Sequence, residues 1–331
     1  MDEFTEEQLI ALFSRETIAG YRVINTSHGA TDFRETILAE FKSGDKLVIK
    51  AAENAFTDSE RIHMWRRCIE EYRNLGYYCP RILAPAGSDF PTAAYKGHKC
   101  IVYAEEYSPY ESAEKSANAK PYRNDAYLMT AKIATRRFDY TDLPSAYCLF
   151  DTFGDDETDE VTENALEFQN YAKTLPERSA QQADRMFRRW EEHRAQLKEI
   201  YPKLPTSVFQ ADFNDTNALV DQEGRFVGIF DFNLAGKDVF LNYLFREIFH
   251  GTFEEELASI LEALQVVSAV YDFSEEEKAA APLIYRCIKP LWYTRVEALK
   301  EAGTDEAAIQ KCLDEMEDAQ TREIDFRGAM G

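Results

Sequence analysis

No stretch of this 331-residue chain approaches the ~20 consecutive apolar residues of a membrane-crossing helix. The first residues, MDEFTEEQLIALF, are acidic and amphipathic where a secretory signal would be basic and then apolar. A cytoplasmic protein with no membrane partner is the expectation. The six cysteines, at 68, 79, 100, 148, 287 and 312, show no C-x-x-C or other paired spacing. That pattern argues for reduced core thiols and against a zinc or disulfide framework. Basic charge is scarce too, with 38 Lys and Arg against 60 Asp and Glu, a net charge of -22. Nucleic acid favours the opposite sign, which argues against it as a partner, whereas a cationic small molecule suits such a surface. There is no internal repeat, no low-complexity segment and no G-x-x-x-x-G-K-[ST] phosphate loop.

What the chain does contain is concentrated in residues 208 to 233, VFQADFNDTNALVDQEGRFVGIFDFN. Asp212 follows the short apolar run Val208-Phe209, Asn217 comes five residues later, and Asp231 closes a second apolar run, Phe226 to Phe230. Ala218 to Asp221 reads as the first strand of a hairpin whose loop is Gln222 to Arg225. Strand partners in a hairpin sum to a nearly constant number, which sets Asn217 opposite Asp231 at the open end. Two hard oxygens facing one cation suit magnesium, which completes its shell with water and phosphates. Asp212, on the incoming loop, would sit beside that cation as a proton acceptor. Asp and Asn are common turn formers, and a lone D-x-x-x-x-N says little. The second acid at the end of a buried-looking strand gives the pattern its weight. An EF-hand reading of Asp212, Asn214, Thr216 and Glu223 fails because Asn217 stands where the sharp turn needs Gly and because the flanks are strand-like.

Residues 208 to 243 resemble the catalytic segment of the aminoglycoside phosphotransferase and choline kinase group, small-molecule kinases with the protein-kinase fold. Asp212, Asn217 and Asp231 match that group's H-x-D-x-x-x-x-N and I-D-F/W motifs, and Gly236 and Asp238 match the segment after them. The resemblance implies that Asp212 is the catalytic base, that Asn217 and Asp231 hold Mg2+, and that ATP is the phosphate donor. Asp238 and Asn242 resemble an i, i+4 acidic pair of structural role. One departure is Gln210, where the group usually has His.

The other parts of such a kinase can be sought upstream. Residues 21 to 50 alternate as strands around the turn Thr26 to Asp32, TSHGATD, whose amides, Ser27 and Gly29 foremost, would cradle phosphates. Lys50 ends the run KLVIK, like the third-strand lysine that contacts the α and β phosphates. Residues 57 to 75 read as a helix opened by a Thr57-to-Glu60 capping box, with an apolar stripe of Ile62, Trp65, Ile69 and Tyr72. That helix would supply a glutamate partner for Lys50, Glu70 or Glu60, although ungapped counting puts Trp65 at the group's Glu position. Lys99 to Tyr107, KCIVYAEEY, looks like the strand and hinge that hold adenine, with Ala104, Glu105 and Tyr107 best matched.

The remainder reads as helical, over 124–138, 179–201, 253–271, 274–301 and 304–318. The acid-rich 151–163 reads as an exposed loop or helix start, and Tyr285, Trp292 and Tyr293 as core, with a cation-binding aromatic box as the alternative. The expectation is an α+β, two-lobed, protein-kinase-like fold: a nucleotide lobe over 1–107 with a leading helix at 5–15, and a catalytic and substrate lobe over 108–331. Its activity would be transfer of the ATP γ-phosphate to a hydroxyl of a small, cationic acceptor. A catalytically silent binder of nucleotide or partner is the alternative, favoured by Gln210. A protein-substrate kinase is disfavoured, because Gly236 follows only five positions after Asp231 and leaves no room for an activation loop.

Overall fold

The computed structural model describes residues 3–29, 31–83, 89–247 and 253–331. Along the chain run α1 (Glu6–Ala11), β1 (Ile18–Asn25), β2 (Phe33–Phe41), β3 (Lys46–Glu53), α2 (Ser59–Asn74), β4 (Ile82–Leu83), β5 (Thr92–Tyr95), β6 (His98–Glu106) and β7 (Glu111–Ser112). They are followed by α3 (Arg123–Arg136), α4 (Glu160–Ala172), α5 (Glu177–Ile200), β8 (Thr206–Phe209), β9 (Ala218–Val220), β10 (Phe226–Ile229) and β11 (Gly236–Val239). The chain closes with α6 (Phe240–Glu247), α7 (Phe253–Ser268), α8 (Glu275–Ile288), α9 (Tyr293–Glu301), α10 (Glu306–Thr321) and α11 (Phe326–Met330). The architecture is α+β, and the chain divides into two compact units. One runs to Tyr122 and takes back Asp212–Gly236; the other comprises Arg123–Ala211 and Lys237–Gly331. A single cut at 107/108 therefore misses that the β9–β10 hairpin belongs with the N-terminal sheet.

That sheet has the order β1-β2-β3-β6-β4, with β5 paired to β6, and its ladders are antiparallel. Period-two alternation gives it two chemically distinct faces. Ile37, Ala39 and Phe41 of β2, Leu47, Ile49 and Ala51 of β3, and Cys100, Val102 and Ala104 of β6 form one buried core with Leu9 and Ile10 of α1. Each large side chain of that face contributes about 1.5–3 kcal/mol by leaving water. The opposite face carries Arg34, Thr36, Lys50, Ala52, Tyr103 and Glu105, and the register sets Thr36 on one side of Lys50 and Tyr103 on the other. Two helix starts differ from expectation. α1 is shorter than 5–15 and is opened by a Thr5–Gln8 capping box. α2 is capped by Asp58, whose carboxylate accepts the Arg61 amide at 2.8 Å, so the cap lies one residue past Thr57.

The hairpin departs from the simple register by one residue. Phe226 pairs with Val220, but Gly228 pairs with Leu219 and Ile229 with Ala218, so Val227 is an extra residue in β10. The Phe230 amide then donates to the Asn217 carbonyl at 3.1 Å, which places Asn217 opposite Phe230 and not opposite Asp231. The bulge has a partner. The Tyr78 amide donates to the Val227 carbonyl at 2.8 Å, and the Tyr78 carbonyl accepts the Ile229 amide at 3.1 Å. A Cβ on Gly228 would stand 1.8 Å from that Tyr78 carbonyl oxygen, so only glycine fits. Gly224 in the loop is required twice over, by a φ of +77° and by the Asn118 carbonyl 1.8 Å from where its Cβ would be.

The second unit is mainly helical. α5 packs against α4, α8 and α10, burying Ala183, Met186, Phe187, Trp190 and Leu197 at helical spacing. The helix expected over 274–301 is two helices, α8 and α9. Lys289 is still helical and donates its amide to the Tyr285 carbonyl, Pro290 has no amide hydrogen to continue the ladder, and the extended Trp292 starts α9. Tyr285 and Trp292 are core, but Tyr293 is exposed. The Trp292 ring is already engaged by the chain's own Arg246 and Lys289, 5.0 and 4.7 Å from its centroid. No described helix is long and apolar enough to cross a membrane. All six cysteines are free, with only Cys312 partly exposed.

Candidate active site

Asp212 is held by a loop that folds on itself. The Asn214 side-chain oxygen accepts the amides of Thr216 and Asn217 at 2.9 and 3.1 Å, an Asx turn that follows from Asn at that position. The Asn214 amide donates to Asp212 Oδ1 at 2.9 Å. Asn217 Nδ2 donates to Asp212 Oδ2 at 2.7 Å and to its carbonyl at 2.9 Å. Ala211, just before, has a φ of +65°, a costly conformation for a residue with a Cβ. Burial, and then the charge of Asp231, push the Asp212 carboxyl above its ordinary value, while the two Asn donors pull it back. A carboxylate fixed at both oxygens and raised in basicity is what a general base requires.

Asp231 leaves β10 with a φ of +61°, and its carboxylate meets Lys50 Nζ at 3.1 Å. Lys50 has a second partner, Glu105 Oε1 at 3.2 Å. Burial alone would lower the Lys50 ammonium, but Asp231 and Glu105 together raise it well above its ordinary value, so it remains a cation. Burial pushes the Glu105 carboxyl up against the pull of Lys50. Thr26, Arg34, Thr36, Lys50, Tyr103 and Asp231 help to line a recess of about 60 Å³. Ligand pockets usually span ~300–1,000 Å³, so this recess suits the phosphate end of a nucleotide and not the whole molecule.

The partner of Lys50 corrects the expectation of a helix glutamate. Glu70 pairs with Arg81 at 2.8 Å on the surface, and Glu60 is exposed. Trp65 occupies the helix position instead, its ring 6.0 Å from that of Tyr103. The hinge expectation is corrected as well. Ala104 and Glu105 are paired on both sides, to Ile49 and Val48 in β3 and to Leu83 and Ile82 in β4. Their main-chain groups are committed to ladders and cannot hold a base. Tyr107, exposed just past the strand, is the first expected position outside it. In the Thr26–Asp32 turn the Ser27 hydroxyl bonds the Arg34 amide and carbonyl at 2.9 and 3.1 Å, and the Ser27 amide donates to Asn25 at 2.8 Å. Ser27 closes the turn, while Gly29, at a φ of +74°, has open space around it. Ala30 of that turn lies outside the described residues.

A family model described as the phosphotransferase enzyme family matches residues 30–242. The chain belongs to that family. No curated protein sequence matches it. Among solved structures it is similar to an aminoglycoside phosphotransferase from Alicyclobacillus acidocaldarius, at a TM-score of 0.57 and 10% identity over 99% of this chain and 96% of that one. It is also similar to a microcompartment-associated aminopropanol kinase, at 0.59 and 11% over 95% and 94%. An amicoumacin kinase in complex with AMP-PNP and Ca2+ aligns at 0.54 and 15% over 98% and 97%. At these identities the likeness shows the shared kinase-like fold.

In this phosphotransferase the chemistry of the donors suits a hard cation. Both hydrogens of the Asn217 amide are spent on Asp212, which leaves Oδ1, touched weakly by the Thr216 hydroxyl at 3.4 Å, as the atom that could serve a cation together with the Asp231 carboxylate. Among the described residues no group of three or more His, Cys, Asp or Glu could hold a metal. Two protein oxygens plus phosphates and water is the donor set magnesium uses in nucleotide sites. In the second unit, Asp238 accepts bonds from Ser145 at 2.9 Å, Asn242 at 3.0 Å and Tyr201 at 3.3 Å, all buried, which is a structural role. The acidic partner of Lys50 that sequence reasoning misses is the Glu105 side chain. Its signal is the alternation of KCIVYAEEY, which puts 101, 103 and 105 on the face opposite the apolar 100, 102 and 104.

Proposed function

We propose that this phosphotransferase moves the γ-phosphate of ATP to a hydroxyl of a small molecule in the cytoplasm, with Asp212 as the base. The observation that carries this reading is the Asp212 carboxylate, held by Asn217 on the loop that leads into the β9–β10 hairpin, with Asp231 at that hairpin's exit. Lys50 binds the α and β phosphates, and Asn217 with Asp231 holds magnesium, which when bound neutralises phosphate charge. Asp212 orients the acceptor hydroxyl and takes its proton. The acceptor is an amine-bearing alcohol or sugar. The net charge of -22 and the structural relatives named for aminopropanol and aminoglycoside support that class.

Calorimetric titration with ATP tests the reading. Binding is expected with magnesium, much weaker without it, and lost in Asp231→Ala; absence of binding in every condition would overturn it. Magnesium-dependent binding that comes with no ADP release across a broad panel of amino-alcohols and aminosugars would favour a silent binder, the reading that Gln210 supports.

Glu105 supplies a further check. Glu105→Gln removes one of the two anions that fix Lys50, and ATP affinity is expected to fall about tenfold, the loss of one charge-assisted bond. Glu70→Gln and Glu60→Gln, on the surface, are expected to stay within about twofold. The reverse ranking would restore the helix glutamate as the partner.

A further inference from the structure

We propose that Arg34 of β2 is a second phosphate-binding cation of the recess, directed at the terminal phosphate of the nucleotide. The inference rests on the reading above and extends it to a residue that matches none of the kinase motifs in the sequence. Arg34 pairs across the ladder with Ala52, as Thr36 does with Lys50, so Arg34 and Lys50 project from the same sheet face two residues apart along the strands. The strand positions run in order. Val48 pairs with Glu105 beside the exit to Tyr107, Lys50 pairs with Tyr103, and Ala52 pairs with Ile101. Arg34 thus lies farther than Lys50 from the base-binding end and nearer the Thr26–Asp32 turn. A nucleotide with its base at Tyr107 and its inner phosphates at Lys50 presents its last phosphate to Arg34.

The residue is held ready for that contact. Its carbonyl accepts the Thr26 amide at 2.9 Å and the Ser27 hydroxyl at 3.1 Å, and its amide donates to the same hydroxyl at 2.9 Å. Asp32 grips one end of the guanidinium at 2.9 Å and is itself fixed by Asn54 at 2.9 Å, while Phe56 packs 5.5 Å from the guanidinium carbon. Arg34 Nε is buried without a hydrogen-bond partner among the described residues, as is Asn233 Oδ1, which lines the same recess. A buried guanidinium nitrogen without a partner is costly, and a phosphate oxygen is the acceptor its fork fits.

Calorimetry of the full-length protein with ATP, ADP and AMP, each with magnesium, tests the assignment on Arg34→Gln and Arg34→Lys. In Arg34→Gln, ATP affinity is expected to fall about tenfold or more, as for a lost charged hydrogen bond, with ADP and AMP within twofold. Arg34→Lys, which keeps the charge and the stem, is expected to lose less. Unchanged ATP binding in both variants overturns the assignment, and so does an equal loss for all three nucleotides, which would mark a structural role. Absence of ATP binding by the unsubstituted protein would instead fail the kinase reading itself.

Discussion

Asp212→Asn is expected to lower turnover about 100-fold or more while leaving ATP affinity within about twofold, because the substitution removes a proton acceptor and preserves shape. Asn keeps an oxygen for the Asn214 or Asn217 donor, so the Asx-turned loop should stand. The measurement is ADP release with an acceptor found by screening, paired with calorimetry. Equal loss of binding and turnover would mean that Asp212 supports the loop and does not act on the acceptor. The pH profile gives a second reading of the same group. Burial and the neighbouring Asp231 raise the Asp212 carboxyl, so the rate should fall as pH drops through a value above that of an ordinary aspartate. The base works only when deprotonated, so activity is retained above that value and lost below it. The Asn variant should lack this acidic limb.

Gly228→Ala is expected to cost about 3 kcal/mol or more and to lower the melting midpoint by roughly 4 °C or more. A backbone carbonyl 1.8 Å from the new methyl cannot rotate away as a side chain would, and the Tyr78 bonds to Val227 and Ile229 hold it in place. Relief requires moving β10, which displaces Asp231 and so weakens nucleotide binding as well. Gly20 on β1 has nothing within 4 Å of where a Cβ would stand and a φ outside the left-handed region. Gly20→Ala should change the midpoint little. Thermal scans of the two variants side by side check the contrast; similar midpoints would show that the bulge yields at little cost.

The sequence carries the strand-rich start, the hairpin, Lys50 and the Asp212–Asn217–Asp231 set plainly, since each combines an apolar alternation with a polar residue at its end. What escapes it has local causes. The Asn217 register is off by one because a bulge at Val227 answers to Tyr78, about 150 residues away in the chain, which no hairpin arithmetic contains. Glu105 matches the hinge by its backbone, although the alternation of its own strand turns the side chain toward Lys50 and the double ladder occupies the backbone. Ser27 suggests a phosphate contact through its backbone amide; in the fold that amide is taken by Asn25 and the hydroxyl is the clasp of the turn. Helix ends move wherever a neighbouring residue is the better cap or a proline intervenes, as at Asp58 and Pro290.

A lysine whose acidic partner rides on a helix can be disarmed by swinging the helix away, and protein kinases use that motion as an off-state. Here Lys50 and Glu105 belong to adjacent strands of one antiparallel ladder. Their spacing is set by main-chain register, and the pair forms as soon as β3 and β6 do. The pair that steadies Lys50 is therefore built into the sheet itself, and no helix has to move to form it.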